Sequence, residues 1–418
     1  LGAPALRARR LASRSRLEIH VMIHSHREFT ARAFLSLRAL LLPFFPSFLR
    51  SPPSFAFPPR VRSPFPFPRR RVSASSKFAL PSDSGASPRR PLRRLVARRP
   101  SAMVKLSPLC HRASANDAEV WATCFAGDAT LVTGSLDESV KLWVNEEEKD
   151  AVSLENLREK HAYTGHTLGV CSLDANAAGL VAASALDGVV RAWDSARGET
   201  KLVLESAPGE SWGVKFDPTS GSSHIAIGGG VSRAVHVYDV EKGEKKKSLE
   251  LPETTADAAK NGRFAQSVAY SPDGKRIACG VTDGTVAIFD VKSGKCVHTL
   301  TGHVAPVRDV TFSPDGKTLY TACDDGYVHI YDAHNKSLID ALGGHKSWVL
   351  SLTASPDGAA LVTGSSDSTV KLWDLSSRAC AQTMTDHSDA VWCVRFSPDG
   401  NKLAAVSADS SISLFNVA

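Results

Sequence analysis

The sequence lacks three features that would assign the chain to familiar classes of protein. No apolar run reaches the roughly 18–20 residues of a membrane-spanning helix, because Pro43 and Pro46 interrupt the best candidate at 39–49. The eight cysteines contain no Cys-x-x-Cys pair and no Cys/His cluster at metal-ligand spacing. No phosphate-binding loop, nucleophile elbow or His-Glu-x-x-His motif occurs, and the glycines at 228–230 precede a short strand rather than a helix. We therefore expect no membrane association, no metal, no cofactor and no enzymatic activity.

The cysteines are scattered through apolar, strand-like contexts, as at Cys279 and Cys323. In such contexts cysteine behaves as a small hydrophobic residue. Reduced thiols are typical of the cytosol and the nucleus. The cysteine pattern therefore predicts a cytosolic or nuclear protein.

Acidic residues are nearly absent from residues 1–102, which contain 21 basic residues, only 3 acidic ones and 14 of the 23 prolines. Their net charge is +18, whereas residues 103–418, with 29 basic and 40 acidic residues, carry −11. The two parts are therefore interpreted separately. The acidic balance of the second part argues against a nucleic-acid groove, which needs clustered Lys and Arg.

Residues 1–102 show no helical or strand period, so they are interpreted as a disordered or non-native extension. Three interpretations stay open: an organelle transit peptide, a basic arm for RNA or DNA, or non-coding sequence translated in frame. We favour the third, with Met103 as the start of the protein. The predicted domain is then 103–418.

A unit repeats three times between residues 301 and 418, with closing aromatics spaced 42 residues apart at Tyr331, Trp373 and Phe415. Each copy opens with a histidine and contains the turn Ser-Pro-Asp-Gly, in which Pro presets one torsion and Gly accepts a positive φ. A fixed period of about 40–45 residues with these marks is typical of a β-propeller blade.

The closing aromatic and the turn residue also recur, less regularly, in the earlier part of residues 103–418. Seven closing aromatics are found: Trp143, Trp193, Tyr238, Phe289, Tyr331, Trp373 and Phe415. Six residues before each lies a turn residue: Asp137, Asp187, Ser232, Asp283, Asp325, Asp367 and Asp409. The flanking segments are apolar and β-branched, which indicates buried strands. The sequence predicts an all-β, seven-bladed β-propeller, closed by residues 104–113 as the fourth strand of the last blade.

The repeated histidines are interpreted as structural. A histidine before the first strand, the turn Asp and the closing aromatic are expected to form a hydrogen-bonded brace inside a blade, because buried polar groups need partners. The predicted brace residues are His166, Asp187, Trp193, His345, Asp367, Trp373, His303, Asp325, His387 and Asp409. Asn116, Ala207 and Asn261 occupy the histidine position in blades one, three and four, so those blades are expected to lack the brace.

Four tryptophans lie where first strands begin, and alignment on that strand makes one set of positions equivalent: Trp121, Cys171, Trp212, Gln266, Arg308, Leu350 and Trp392. Ring closure makes blades six, seven and one neighbours, so Trp348, Trp392 and Trp121 are expected to form one patch with Arg308 beside it. Aromatic and Arg residues dominate interface hot spots. The predicted partner-binding residues are Trp121, Trp392, Trp348, Arg308 and Trp212; the alternative is that some of these rings fill the core.

These repeats resemble the WD-repeat family over residues 116–418. The stretches at 132–137, 165–170, 324–332 and 347–350, and the unusual Asp386-His387, are similar to the superkiller-complex WD-repeat subunits and their plant vernalization-independence counterparts. The resemblance implies a non-catalytic scaffold that grips short partner segments on one face of the ring.

Two settings follow from that resemblance. One is the superkiller complex, with its tetratricopeptide and helicase subunits, which feeds RNA to the exosome. The other is the RNA polymerase II-associated factor complex, which supports elongation and histone modification. The alternative, a substrate receptor of a cullin-type ubiquitin ligase, would carry Trp-Asp-x-Arg at a blade end. Here Trp193-Asp194 and Trp373-Asp374 are not followed by that pattern.

Overall fold

The computed structural model describes residues 104–145, 156–206, 211–230, 233–253 and 263–418. These residues form 28 β-strands and no helix. The first fourteen strands are β1 (Leu106–Arg112), β2 (Val120–Phe125), β3 (Leu131–Ser135), β4 (Val140–Asn145), β5 (Leu157–Tyr163), β6 (Val170–Ala175), β7 (Leu180–Ala185), β8 (Val189–Asp194), β9 (Thr200–Glu205), β10 (Gly213–Phe216), β11 (His224–Gly229), β12 (Ala234–Asp239), β13 (Glu244–Glu250) and β14 (Ala265–Tyr270). The other fourteen are β15 (Arg276–Val281), β16 (Val286–Asp290), β17 (Cys296–Leu300), β18 (Val307–Phe312), β19 (Thr318–Cys323), β20 (Tyr327–Asp332), β21 (Leu338–Gly343), β22 (Val349–Ala354), β23 (Ala360–Ser365), β24 (Val370–Asp374), β25 (Ala379–Met384), β26 (Val391–Phe396), β27 (Lys402–Ser407) and β28 (Ile412–Val417).

The strands form seven four-stranded sheets. Six sheets use four consecutive strands each, beginning at β2, β6, β10, β14, β18 and β22, and the seventh contains β26, β27, β28 and β1. Successive first strands contact one another around the ring, and β26 contacts β2. The predicted all-β, seven-bladed propeller is therefore confirmed. The predicted extension at 1–102, Ser232, Ala207 and Asn261 lie outside the described residues.

The ring closes through blade seven, where β1 pairs antiparallel with β28 from Leu106↔Val417 to Arg112↔Ile412. Beyond the last pair, Lys105 N–H donates to Ala418 O at 2.8 Å and Ala418 N–H donates back to Lys105 O at 3.0 Å. The side chain of Gln382 on blade six accepts from Leu106 N–H at 2.7 Å and donates to Leu106 O at 3.1 Å. Closure by residues 104–113 is confirmed, and a clamp from the neighbouring blade reinforces it.

The core lies between the faces of neighbouring blades. Trp143, fully buried on blade one, packs in one cluster with Ala404 and Val406 of blade seven. Phe415 of blade seven packs in the same way with Val362 and Leu372 of blade six. Aromatic side chains bury about 150–250 Å² each, so these third-strand rings make a large contribution to holding each blade against the one before it.

None of the described segments forms a helix that is long and apolar enough to cross a lipid bilayer. All eight cysteines are free thiols, four of them buried: Cys124, Cys279, Cys323 and Cys393. Burial raises the pKa of the Cys279 thiol to about 12. The Cys279 thiol therefore stays protonated and acts as a packing group.

Ring closure is testable by truncation. A chain that begins at Asn116 loses β1 and leaves the backbone of β28 as an open edge. We expect its melting temperature, measured by circular dichroism, to fall by roughly 10 °C or more relative to a chain that begins at Met103. Equal melting temperatures of the two chains would contradict a stabilising role for the closure.

Candidate functional site

The first strands of all seven blades surround a central channel, and a residue at the N-terminal end of each strand, or directly before it as at Trp212, lies at the upper mouth. A cavity of about 210 Å³ there is lined by all seven residues that the sequence alignment made equivalent: Trp121, Cys171, Trp212, Gln266, Arg308, Leu350 and Trp392. The alignment therefore placed these residues correctly. The mouth combines aromatic, aliphatic and charged side chains in one concave surface.

Trp121 and Trp392 form a stacked pair at the junction of blades one and seven. Their ring centroids are 4.5 Å apart and their planes are inclined by 27°. Trp121 Nε1 donates to Glu119 Oε2 at 2.9 Å, which fixes its ring. Trp392 Nε1 is buried and has no acceptor among the described residues. The pair thus presents aromatic surface at this junction.

Trp348 lies apart from this pair, contrary to the expectation of a single three-indole patch. Its ring lies 5.5 Å from the guanidinium carbon of Arg308, and Trp348 is 38% exposed. Arg308 in turn binds Asp324 through two hydrogen bonds of 2.7 Å. The difference arises because Trp348 precedes β22 by one residue and so reaches toward blade five, while Leu350 occupies the aligned position in the mouth.

Trp212 stacks on Phe264, with ring centroids 5.8 Å apart, at the junction of blades three and four. Sequence reasoning missed Phe264, although it lies just before β14, where an aromatic side chain can reach the mouth. The mouth therefore carries two stacked aromatic pairs and one Arg–Trp pair in different sectors.

Below the mouth, Arg395 of blade seven binds residues of two other blades. Its Nη1 donates to Asp309 Oδ2 at 3.1 Å and to Ser351 Oγ at 2.9 Å, which links blades seven, five and six. Burial opposes the charge of Arg395, yet the neighbouring Cys393 and Asp309 raise its pKa above the usual value. Lys215 and Asp174 form a similar pair at 2.7 Å. Each cation that lines the cavity is therefore matched by a carboxylate.

The brace has a fourth member that sequence reasoning missed. In blade six His345 Nδ1 lies 3.1 Å from Asp367 Oδ2, and His345 Nε2 lies 2.7 Å from Thr363 Oγ1. Trp373 Nε1 donates to the same Thr363 Oγ1 at 2.9 Å. Thr363 lies four residues before the turn Asp, and that spacing was the available signal. The hydroxyl connects histidine to tryptophan.

Blades one and four have substitutes for the histidine, so the expectation that they lack a brace was wrong. Asn116 Nδ2 donates to Asp137 Oδ2 at 3.1 Å, and Thr133 Oγ1 donates to Asn116 Oδ1 at 3.3 Å. In blade four the guanidinium of Arg263 binds the carboxylate of Asp283. An amide or a guanidinium can supply the N–H donors that the imidazole supplies elsewhere.

Blades two and seven have a shortened brace. His166 Nδ1 lies 3.2 Å from Asp187 Oδ2, and His387 Nδ1 lies 3.4 Å from Asp409 Oδ2. Alanine stands at the threonine position, as Ala183 and Ala405, and the Nε2 atoms of both histidines lack a partner among the described residues. The brace of blade two, expected to reach Trp193, therefore ends at His166, whose ring meets Trp193 edge-on at 5.9 Å.

Blade five brings together three potential metal ligands, because the ligand atoms of His303, Cys323 and Asp325 lie within 4.8 Å of one another. Both ring nitrogens of His303 already have partners: Asp325 Oδ2 at 2.7 Å and Thr321 Oγ1 at 2.8 Å. Burial raises the pKa of Cys323 to about 12, so its sulfur is a protonated thiol. Serine stands at the Cys323 position in blades one, six and seven. The group is therefore the brace of blade five, with its thiol in a position that serine fills elsewhere.

Family comparison agrees with this geometry. The family model described as "WD domain, G-beta repeat" matches residues 107–144, 157–194, 294–332, 336–374 and 378–416. The family model described as "Anaphase-promoting complex subunit 4 WD40 domain" matches residues 254–305. The chain is a WD-repeat propeller. Propellers of this kind mediate protein–protein interactions, which agrees with an aromatic mouth and structural histidines.

Similar proteins come from distant organisms. The WD-repeat propeller is 43% identical over 217 residues to WD repeat-containing protein VIP3 of Arabidopsis thaliana, covering 50% of this chain and 64% of that protein. It is 33% identical over 181 residues to WD repeat-containing protein SL1-17 of Schistosoma mansoni, covering 43% of this chain and 54% of that protein. It is 28% identical over 170 residues to small ribosomal subunit protein RACK1 of Caenorhabditis elegans, covering 39% of this chain and 47% of that protein. The matched stretch is less than two thirds of each relative.

The brace can be tested at its threonine. Replacing Thr363 with Val removes the hydroxyl that accepts a hydrogen bond from Trp373 Nε1–H and donates one to His345 Nε2. We expect the free energy of unfolding to fall by about 2–3 kcal/mol, measured by urea denaturation, because unpaired buried polar groups are costly. Thr353→Val, on the first strand of the same blade, is the matched control and is expected to change it by less than about 0.5 kcal/mol. Equal effects would show that the hydroxyl link contributes nothing.

The stability of blade five is expected to depend on pH through His329, whose ring stacks on His303 at a centroid distance of 3.8 Å. Burial, and then the charge of His303, lower the pKa of His329 to about 4. As the pH falls, His329 therefore binds a proton in the unfolded chain before it does so in the folded chain. The free energy of unfolding decreases as the pH falls from about 6.5 to 4, by up to about 1.4 kcal/mol per pH unit. His329→Phe should flatten the pH dependence of the melting temperature in that window. An unchanged slope would contradict the assignment.

Proposed function

We propose that the chain is a non-catalytic scaffold that docks short partner segments at the channel mouth. Its partners would be subunits of two complexes: the tetratricopeptide and helicase subunits of the superkiller complex, and subunits of the RNA polymerase II-associated factor complex. The first setting is mRNA decay linked to the exosome, and the second is transcription elongation and histone modification. The scaffold would therefore act in both the cytoplasm and the nucleus.

The observation that carries this proposal is the aromatic mouth. Trp121 stacked on Trp392, Trp212 stacked on Phe264, and Arg308 over Trp348 supply the residue types that dominate hot spots of protein interfaces. The cations of the mouth are paired with carboxylates, as in Arg308–Asp324. A surface with aromatic area and balanced charge favours a protein segment over the phosphate backbone of a nucleic acid.

The assignment to the two complexes is supported by similarity. The 43% identity with VIP3 of Arabidopsis thaliana agrees with the vernalization-independence resemblance of the repeats. That similarity extends over half of this chain.

The non-catalytic assignment is supported by the chemistry of the repeated histidines. His166, His303, His345 and His387 all face the turn Asp of their own blade and are buried or nearly so. Burial, partly offset by Asp325, lowers the pKa of His303 and keeps its ring neutral. These imidazoles are committed to internal hydrogen bonds, which supports a structural role.

The docking site can be tested by replacing either stacked indole. Trp121→Ala and Trp392→Ala should each weaken capture of partner subunits by at least about tenfold, because central interface aromatics contribute about 2 kcal/mol or more. The measurement is affinity purification of chains beginning at Met103, with quantification of co-purifying subunits of both complexes.

Trp348→Ala is the informative comparison, since Trp348 lies with Arg308 outside the stacked pair. A loss comparable to that of the other two variants would extend the site across to blade five. Melting curves within a few degrees of the parent chain would show that the ring remains folded. Full capture of both sets of subunits by both Trp121→Ala and Trp392→Ala would refute the docking site.

A further inference from the structure

We call the end of the ring opposite the channel mouth the lower rim. At blades three to five the lower rim is positively charged, although residues 103–418 carry a net charge of −11. Six cations there form no salt bridge with a carboxylate of the described residues. We call this set the basic rim: Lys245, Lys247, Arg276, Lys292, Lys295 and Lys336. Its lysines lie on an outer strand and on the turns that join third strands to fourth strands, and Arg276 begins the second strand of blade four, all away from the channel mouth.

Contacts between blades make the basic rim continuous. Lys247 Nζ donates to the carbonyl oxygens of Val291 and Lys292, at 2.5 and 2.6 Å, so its ammonium lies at the turn that also carries Lys295. Arg276 Nη1 donates to Ala333 O at 3.2 Å, which places its guanidinium at the turn that carries Lys336. The cations of three successive blades are thus held on one surface.

His298 on β17 experiences the combined field of these groups. Burial, and then the positive charges of Lys336 and Arg276, lower its pKa. The two cations come from blades five and four, so the field extends across the boundary between these blades.

Most carboxylates of this region have ion-pair or hydrogen-bond partners within their own turns. Asp273 pairs with Lys275 at 3.4 Å, and Asp315 pairs with Lys317 at 3.3 Å. Asp290 accepts hydrogen bonds from the N–H and the hydroxyl of Ser293 in its own turn, and its pKa is lowered by these bonds and then by the charges of Lys247 and Lys292, so it offsets part of the charge of the rim. Glu241 has no ion pair among the described residues and offsets one charge. The basic rim therefore keeps an excess of positive charge.

Exposed aliphatic side chains lie among these cations. Val297 is 40% exposed on β17, and Leu338 and Ile339 are 47% and 41% exposed at the start of β21, two and three residues after Lys336. Aliphatic groups give no stacking platform for bases, which binding of single-stranded nucleic acid uses. Mixed cationic and aliphatic surface is complementary to a chain with acidic and aliphatic side chains.

We propose that the basic rim is a second docking surface, which binds an acidic segment of a protein partner that also carries aliphatic side chains. It is separate from the channel mouth and does not depend on what binds there. A scaffold with two such surfaces holds one partner at the mouth and a second, or a distant part of the same one, at the rim.

The test uses a short fluorescein-labelled peptide of glutamate, leucine and serine, and a matched peptide with glutamine in place of glutamate. By fluorescence anisotropy at low salt, the glutamate peptide should bind the protein at least about tenfold more tightly than the glutamine peptide, and added salt should weaken it. The double variant Lys292→Glu/Lys336→Glu should lose at least about fivefold in affinity for the glutamate peptide. Val297→Ser/Ile339→Ser should lose about threefold.

The matched control is Lys160→Glu/Lys346→Glu, which makes the same change in net charge at exposed lysines on blade one and on the upper face. It should bind the glutamate peptide as the parent protein does, and all variants should melt within a few degrees of the parent. Equal affinity for the two peptides, or equal losses in the two double-charge variants, would overturn the proposal. Tighter binding of an oligouridine RNA or of phosphatidylserine vesicles, abolished by Lys292→Glu/Lys336→Glu, would also overturn it in favour of phosphate or lipid recognition.

Discussion

The pairing of β1 with β28 is the interaction on which the other arrangements depend. It turns a row of six complete blades and one incomplete blade into a ring, and it satisfies the backbone of β28, which would otherwise be an open edge. It also places blade seven against blade one, so that Trp392 stacks on Trp121 although the two are 271 residues apart in sequence. The candidate docking site exists because the ring is closed.

In the closed ring, two kinds of polar contact hold the strands in position, one within each blade and one between blades. Braces such as His345–Thr363–Trp373 run within a blade and fix its loops to its third strand. Links such as Arg395 with Asp309 run between blades and line the channel. Both kinds are largely buried, where unpaired polar groups would be costly. The aromatic residues at the mouth are therefore carried on strands whose positions are fixed from two directions.

Sequence periodicity was sufficient to predict the blade number, the strand order and the seven positions around the mouth, because each depends on spacing alone. The substitutes in the brace were not predictable in this way. Arg263 replaces a histidine from a shifted position, two residues after the aligned Asn261. The position of Trp348 was also missed, because it lies two residues before the aligned position at Leu350, outside β22, and reaches Arg308 of blade five. Spacing predicts which residues are near one another, but side-chain direction decides which of them touch.

The closing pair also has a consequence for synthesis on the ribosome. Leu106 pairs with Val417, so β1 must wait for more than three hundred further residues before its partner is made. At about 5–20 residues per second, that delay is on the order of 15–60 seconds. During this interval the nascent chain holds an unpaired strand and an uncovered face of blade one, including Leu131 and Trp143. Newly made protein therefore exposes these apolar groups to aggregation until β28 is released from the ribosome.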